Sequence, residues 1–223
     1  MDNLFSPKNI NDFLNKLKAN AKPEPEQPEP VIPPLKIIWP PDYVFNNSPE
    51  FYETITTKVE SGNPFFLLFV GPTGCGKSYL ATIIMDMAAA HYQWKTYQKM
   101  QCPQFYKAYQ AAKLADFSIR EDRMEGFEQN QPWSRFIMDD LGAEIDEPQS
   151  RDYFAMLIDN NYVQIREHTA KAGIITTNLD PAAIEARYGS RTLDRLLENY
   201  LFCFFKPESF REKKASWING AKK

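Results

Sequence analysis

The chain predicts a three-layer α/β fold around a parallel sheet, and three observations carry that prediction. Short apolar runs of strand length alternate with longer segments of helical period from about residue 35 onward, the pattern of a parallel sheet covered on both faces. A glycine-rich loop, Gly71-Pro72-Thr73-Gly74-Cys75-Gly76-Lys77-Ser78, lies between one apolar run and one helical segment. A further apolar run, Phe136-Ile137-Met138, ends in the acid pair Asp139-Asp140 about 60 residues after Lys77.

Each element follows from local chemistry. Ser48 and Pro49 open a helix over 48–61, a capping residue followed by the ring that suits a first helical turn, and Gly62 ends it. Residues 65–70 are apolar throughout, as in a strand buried on both faces. A buried helix follows over about 77–92, then a short strand over 95–100. Residues 103–114 have helical period, with Phe105, Tyr109 and Ala112 on one side, while 115–133 are polar and without clear period. A strand over 134–138 leads into Asp139-Asp140, a long helix covers 149–168, and a strand covers 173–177. Two short helices, 181–187 and 190–199, precede a last strand at 201–205. No internal repeat is visible.

Ahead of this domain (35–223) stand two smaller pieces. Residues 1–20 predict an amphipathic helix: Ile10, Phe13, Leu14 and Leu17 form one apolar stripe, and Lys8, Asn11, Asp12, Lys16 and Lys18 cover the other side. Residues 21–34 hold a Pro/Glu-rich run that cannot pack or stay helical, so they predict an extended tether. A helix on such a tether suits docking into a partner's groove. A helix folded back on its own domain, or an unstructured tail, is the alternative.

Composition narrows the classes further. The chain has 223 residues and a net charge of −3, so no global positive field draws it to nucleic acid, and any such contact must be local. Cys75, Cys102 and Cys203 are scattered and two histidines are too few for a histidine-based metal centre. No signal peptide and no apolar run of membrane length are present, so a cytoplasmic protein without membrane contact is expected.

The loop fits G-x-x-x-x-G-K-[ST] in its required strand–loop–helix context. Glycines let backbone N–H groups converge on phosphate oxygens, and the helix N-terminus adds partial positive charge. Lys77 is placed to reach the β- and γ-phosphates of ATP or GTP, and Ser78 to hold Mg²⁺. Asp139, at the end of a neighbouring strand, suits the metal shell, and Asp140 suits a water facing the γ-phosphate. Asn178 follows the strand that ends in Thr176-Thr177 and can hold that water or touch the γ-phosphate; an ordinary Asn turn is the alternative. Arg191 and Arg195 share one helix face. They suit either surface ion pairs with Asp194 and Glu198 or delivery of a positive charge to a neighbouring subunit's γ-phosphate.

Together these runs resemble the AAA+ ATPases of the bacterial helicase-loader group, the DnaC and DnaI type, and their relative IstB. The matching residues are Gly71 to Ala81, Asp139-Asp140-Leu141-Gly142-Ala143-Glu144, Thr176-Thr177-Asn178, and Gly189-Ser190-Arg191 with Asp194-Arg195-Leu196. The resemblance covers about residues 45–212. It implies a sheet order 5-1-4-3-2, ATP with Mg²⁺, no C-terminal helical lid, and self-association into a ring or spiral. It implies nucleotide contacts from Gly71, Pro72, Thr73, Gly74, Cys75, Gly76, Lys77, Ser78 and Tyr79. Asn178 resembles the sensor-1 residue and Arg195 the arginine finger, with Arg191 the second choice. Arg211, in Ser209-Phe210-Arg211, resembles a sensor-2 contact. Asp140 stands where most AAA+ proteins carry Glu.

The same resemblance implies a weak ATPase stimulated by assembly or DNA. The expected function is a loader that binds a hexameric DnaB-type helicase through residues 1–20 and places it on single-stranded DNA during replication initiation. An IstB-like helper of a DNA transposase is the alternative. A small-molecule phosphotransferase or nucleotide switch is a third, but no arginine-rich acceptor lid is evident. Single-stranded DNA contact is expected from residues 99–133, where Lys99, Phe105, Tyr106, Lys107, Tyr109, Lys113, Phe117, Arg120 and Arg123 mix aromatic and basic groups. A basic tail from Lys206 to Lys223 carries Trp217.

Overall fold

A computed structural model describes residues 35–39, 47–61, 64–113 and 134–206. The elements are α1 (Pro49–Glu60), β1 (Phe65–Val70), α2 (Lys77–His91), β2 (Gln98–Gln101), α3 (Cys102–Lys113), β3 (Arg135–Leu141), α4 (Pro148–Arg166), β4 (Ala172–Thr177), α5 (Pro181–Tyr188), α6 (Ser190–Asn199) and β5 (Leu201–Phe204). The expectations for residues 1–20, 21–34 and 114–133, for Arg211 and for whatever follows Lys206 lie outside the described residues.

All four strand pairings are parallel, and the sheet order is β2-β3-β4-β1-β5, the expected 5-1-4-3-2 read from the other edge. The interior position of β1, between β4 and β5, explains its composition: all six residues of Phe65–Val70 are buried. Alternation then splits them between two cores. Phe66, Leu68 and Val70 join Tyr106, Phe154, Leu157, Ile184 and Leu196 under α3, α4, α5 and α6. Phe65, Leu67 and Phe69 join Ile55, Val59, Leu80, Ile84 and Met85 under α1 and α2. At about 1.5–3 kcal/mol per fully buried large apolar side chain, these two layers supply the main drive for the fold.

Two strand boundaries differ from the sequence reading by three residues, each for a packing reason, and the other ends agree within two. The strand expected over 95–100 pairs only from Gln98, opposite Phe136. The preceding Trp94 and Tyr97 pack against the core beneath α1 and α2 instead, and the Tyr97 hydroxyl donates to Asp86 Oδ1 at 2.6 Å. The strand expected to stop before the two acids continues through Leu141, with a break in its register against β4 between Met138 and Leu141. Such bulges re-aim a side chain without ending a strand.

Candidate functional site

The glycine loop leaves β1 at the carboxyl end of the sheet, where α/β folds bind ligands. Gly71 N–H donates to Thr177 O at 3.2 Å, fixing the start of the loop to the end of β4. The loop closes at Gly76, whose φ of +98° places it in the left-handed region where a β-carbon is strained. From there α2 begins, with Leu80 N–H donating to Gly76 O at 2.9 Å. Its N-terminus has no side-chain cap and no acid in the first turn. The positive end of the helix is thus left without a side-chain partner of its own, as suits an anion from outside.

Lys77 is the first residue of α2 and is only 4% exposed. Its ammonium donates to Gly71 O at 2.7 Å, Pro72 O at 2.9 Å and Asn178 Oδ1 at 2.8 Å, with Cys75 Sγ at 3.8 Å. Burial pulls its pKa below the ordinary lysine value, against the upward pull of Cys75, Asp140 and Asp139. Three neutral acceptors hold a desolvated cation there, which is a site suited to a polyanion. The bond to Asn178 also joins two residues 101 positions apart.

The acid end is laced to β4 by two threonines. Asp139 is 2% exposed, and Thr176 Oγ1 donates to its Oδ1 at 2.7 Å. The same hydroxyl accepts from Asp140 N–H at 3.0 Å. Thr177 Oγ1 donates to Leu141 O at 2.7 Å and accepts from Leu179 N–H at 3.0 Å. Asp140 sits at the bulge with φ +59°, a conformation that Asp tolerates better than most side chains. Thr176 is a residue that sequence reasoning treated only as a neighbour of Asn178. Its role appears once the register sets Met138 beside Ile175, so that the next residues share one strand end.

Whether these residues suit Mg²⁺ follows from their donors. Among the described residues no group of three or more His, Cys, Asp or Glu gathers as a protein-built cage. Asp139 and Ser78 offer hard oxygen donors, and Mg²⁺ is commonly held by one or two such groups with substrate phosphates and waters. The donor set therefore fits an ion that arrives with a triphosphate.

The arginines lie away from this cluster, on α6. Both face α4 rather than the acids anticipated. Arg195 pairs with Asp159, its side chain is 16% exposed, and its guanidinium lies 4.8 Å from the Tyr162 ring centroid. Arg191 has a longer contact to Asp159 Oδ2 at 3.7 Å, with its side chain 75% exposed. Glu198 instead pairs with Arg166 at 3.0 Å. Tyr79 is 56% exposed in the first turn of α2. On the other side of the loop, Phe205 follows β5 and sits so close that a β-carbon at Gly71 would lie 2.8 Å from its own. Lys206 N–H donates to Asn47 Oδ1 at 2.9 Å. Asn47, Trp39, Pro49, Tyr52, Glu53 and Thr56 line a cavity of about 430 Å³.

No family model matches the chain. It is 28% identical over 153 residues to the ATP-binding protein of insertion sequence IS232 from Bacillus thuringiensis subsp. berliner, which covers 66% of this chain. The chain spans 56% of that relative's length. Its structure is similar to that of the DnaC helicase loader, with a TM-score of 0.59 and 20% identity, covering 74% of this chain and 95% of the other. It is also similar to AMPPCP-bound DnaA from Aquifex aeolicus, with a TM-score of 0.53 and 15% identity, covering 79% of this chain and 54% of that one. With five parallel strands in the order 2-3-4-1-5 and a glycine loop after β1, the chain has the AAA+ P-loop fold and resembles the DnaC and IstB-like proteins.

Proposed function

We propose that the chain is an ATP-driven loader that binds a hexameric replicative helicase and delivers it to single-stranded DNA. The observation that carries the nucleotide part is the buried Lys77 ammonium, held by three neutral oxygens and Cys75 Sγ, one of those oxygens from Asn178, with Asp139 and Asp140 near enough to act on its charge. Triphosphate oxygens replace Gly71 O, Pro72 O and Asn178 Oδ1 as its partners. Asn178 is then released to touch the γ-phosphate or its water. Asp139 and Ser78 would hold Mg²⁺, which would supply charge neutralisation at the phosphates. Asp140 orients the attacking water and takes up its proton. The aromatic-walled cavity at Trp39 and Asn47 suits the adenine base, and the Asn47 amide offers it a polar edge.

Turnover is weak in the single chain and rises on assembly into a ring or spiral, where Arg195, with Arg191 beside it, reaches a neighbour's γ-phosphate. The partner half of the reading is supported by the likeness to the DnaC helicase loader and by the tethered stripe in residues 1–20. Single-stranded DNA would lie against the patch in 99–133, and Arg211 would add a contact to the nucleotide. A second reading, an ATPase helper of a DNA transposase, is favoured by the similarity to an insertion-sequence ATP-binding protein.

The full chain should be mixed in Mg²⁺ and ATP with a DnaB-type helicase or with a transposase, each with and without single-stranded DNA. A stable complex with the helicase that is lost on changing Phe13 and Leu14 to Asp supports the loader. Capture of the transposase alone would establish the second reading, and no complex with either would remove both.

A further inference from the structure

Glu144 ends the Asp-Asp-Leu-Gly-Ala-Glu run, and no role in nucleotide chemistry has been given to it. Its side chain is fully buried, at 0% exposure. Its Oε2 accepts from Gly142 N–H at 2.8 Å. Its Oε1 accepts from Arg187 Nε at 3.2 Å and Nη2 at 3.1 Å, and from the Tyr188 hydroxyl. Arg187 Nη2 also donates to Glu144 O at 2.9 Å, and Arg187 Nη1 pairs with Asp146 at 3.0 Å.

The two ends of this network lie beside the two halves of the proposed hydrolysis machinery. On one side, Gly142 belongs to the turn in which Ala143 N–H donates to Asp140 O at 3.0 Å. Gly142 holds φ +92°, and a β-carbon there would meet Leu179 Cδ1 at 2.5 Å, the residue after Asn178. On the other side, Arg187 and Tyr188 end α5, and α6 with its two arginines begins at Ser190. Thr192 Oγ1 donates back to Tyr188 O at 3.0 Å, so the first turn of α6 is tied to the residue that Glu144 holds. One carboxylate thus fixes both the turn after Asp140 and the hinge before Arg191 and Arg195.

We propose that Glu144 is a positioning residue that sets the acid loop and the arginine-bearing helix in register. A shift of the loop when nucleotide binds or leaves is thereby passed to the arginine offered to the next subunit. The inference rests on the proposed role of the α6 arginines. Every partner of the carboxylate is a donor, so an ionised acid satisfies them all. An amide would turn its NH₂ on one of those donors, and Glu144→Gln is therefore a disruptive change of equal size.

The test compares ATP turnover by the full chain at concentrations where turnover depends on assembly. The variants are Glu144→Gln, Tyr188→Phe, Arg195→Ala and Arg191→Ala, and each of the first two combined with Arg195→Ala. Misplacing a positioned group by about an ångström can cost on the order of a hundredfold, so Glu144→Gln should lower kcat by about tenfold to a hundredfold. KM and calorimetric ATP affinity should stay within about twofold, because the phosphate loop is untouched. Combined with Arg195→Ala, it should add little further loss, since both act on one step. Tyr188→Phe, which keeps the carboxylate and Arg187, should show a smaller kcat loss of the same kind, and it carries the test if Glu144→Gln fails to fold. Losses that multiply in full with that of Arg195→Ala, or a kcat unchanged in Tyr188→Phe when Glu144→Gln does not fold, would overturn the role of Glu144. Turnover indifferent to both Arg195→Ala and Arg191→Ala would instead overturn the assembly reading itself.

Discussion

Thr176 shows how much a single hydroxyl can organise. It donates to the Asp139 carboxylate and accepts from the Asp140 amide, so one oxygen fixes both acids against β4. Thr176→Val keeps the shape and removes both bonds, leaving a buried acceptor and a donor unpaired. The expected loss is about 1–3 kcal/mol of stability, read by denaturant unfolding, with weaker Mg²⁺ stimulation of turnover. Asn178 has a different standing, because its amide is exposed to the site and is bound to Lys77. Asn178→Ala should leave ATP affinity within a few-fold and lower turnover by about tenfold or more, as expected for a group that acts mainly in the transition state. Unchanged turnover would remove it from the mechanism.

The helices and strands were legible because their chemistry is local. Phe65–Val70 is apolar at every position and of strand length between Pro64 and the glycine loop, which suits a strand covered on both faces; Pro49, Pro148 and Pro181 each mark a helix start in the structure. What sequence could not show was which element each charged side chain would meet. Arg195 has Asp194 and Glu198 close in the chain, yet it pairs with Asp159 on α4, because α6 packs its inner face there. Glu144 looked like the tail of a motif and proves to clamp the end of α5, more than 40 residues away. The Asp159–Arg195 pair is partly buried and backed by Tyr162, so it should matter to the α4–α6 contact. Asp159→Ala should cost about 1–3 kcal/mol in thermal or denaturant unfolding, between the exposed and buried limits for ion pairs, with nucleotide binding unchanged. A change under a few tenths would show the pair to be incidental. In the sheet core, Leu68→Ala should cost about 2–5 kcal/mol, since Leu68 is fully buried.

At the scale of the whole chain, the sheet brings loop, acids and Asn178 to one end, whereas the α6 arginines point to α4 and do not reach that cluster within the chain. On the proposed function the positive finger comes from a neighbouring subunit, so turnover should climb with protein concentration. Arg195→Ala should abolish that climb while leaving ATP affinity within about twofold, as measured by turnover across a dilution series beside calorimetry. All of this depends on the buried Lys77 and the amides of the loop gripping a triphosphate. Isothermal titration of the full chain with Mg²⁺-ATP, in parallel with Lys77→Ala, tests that grip most directly. Saturable binding by the native chain is expected, with a loss of about tenfold to a hundredfold or more in the variant, the worth of one strong charge-assisted contact. Equal affinity in both chains, or no heat from the native chain at millimolar ATP, would contradict it.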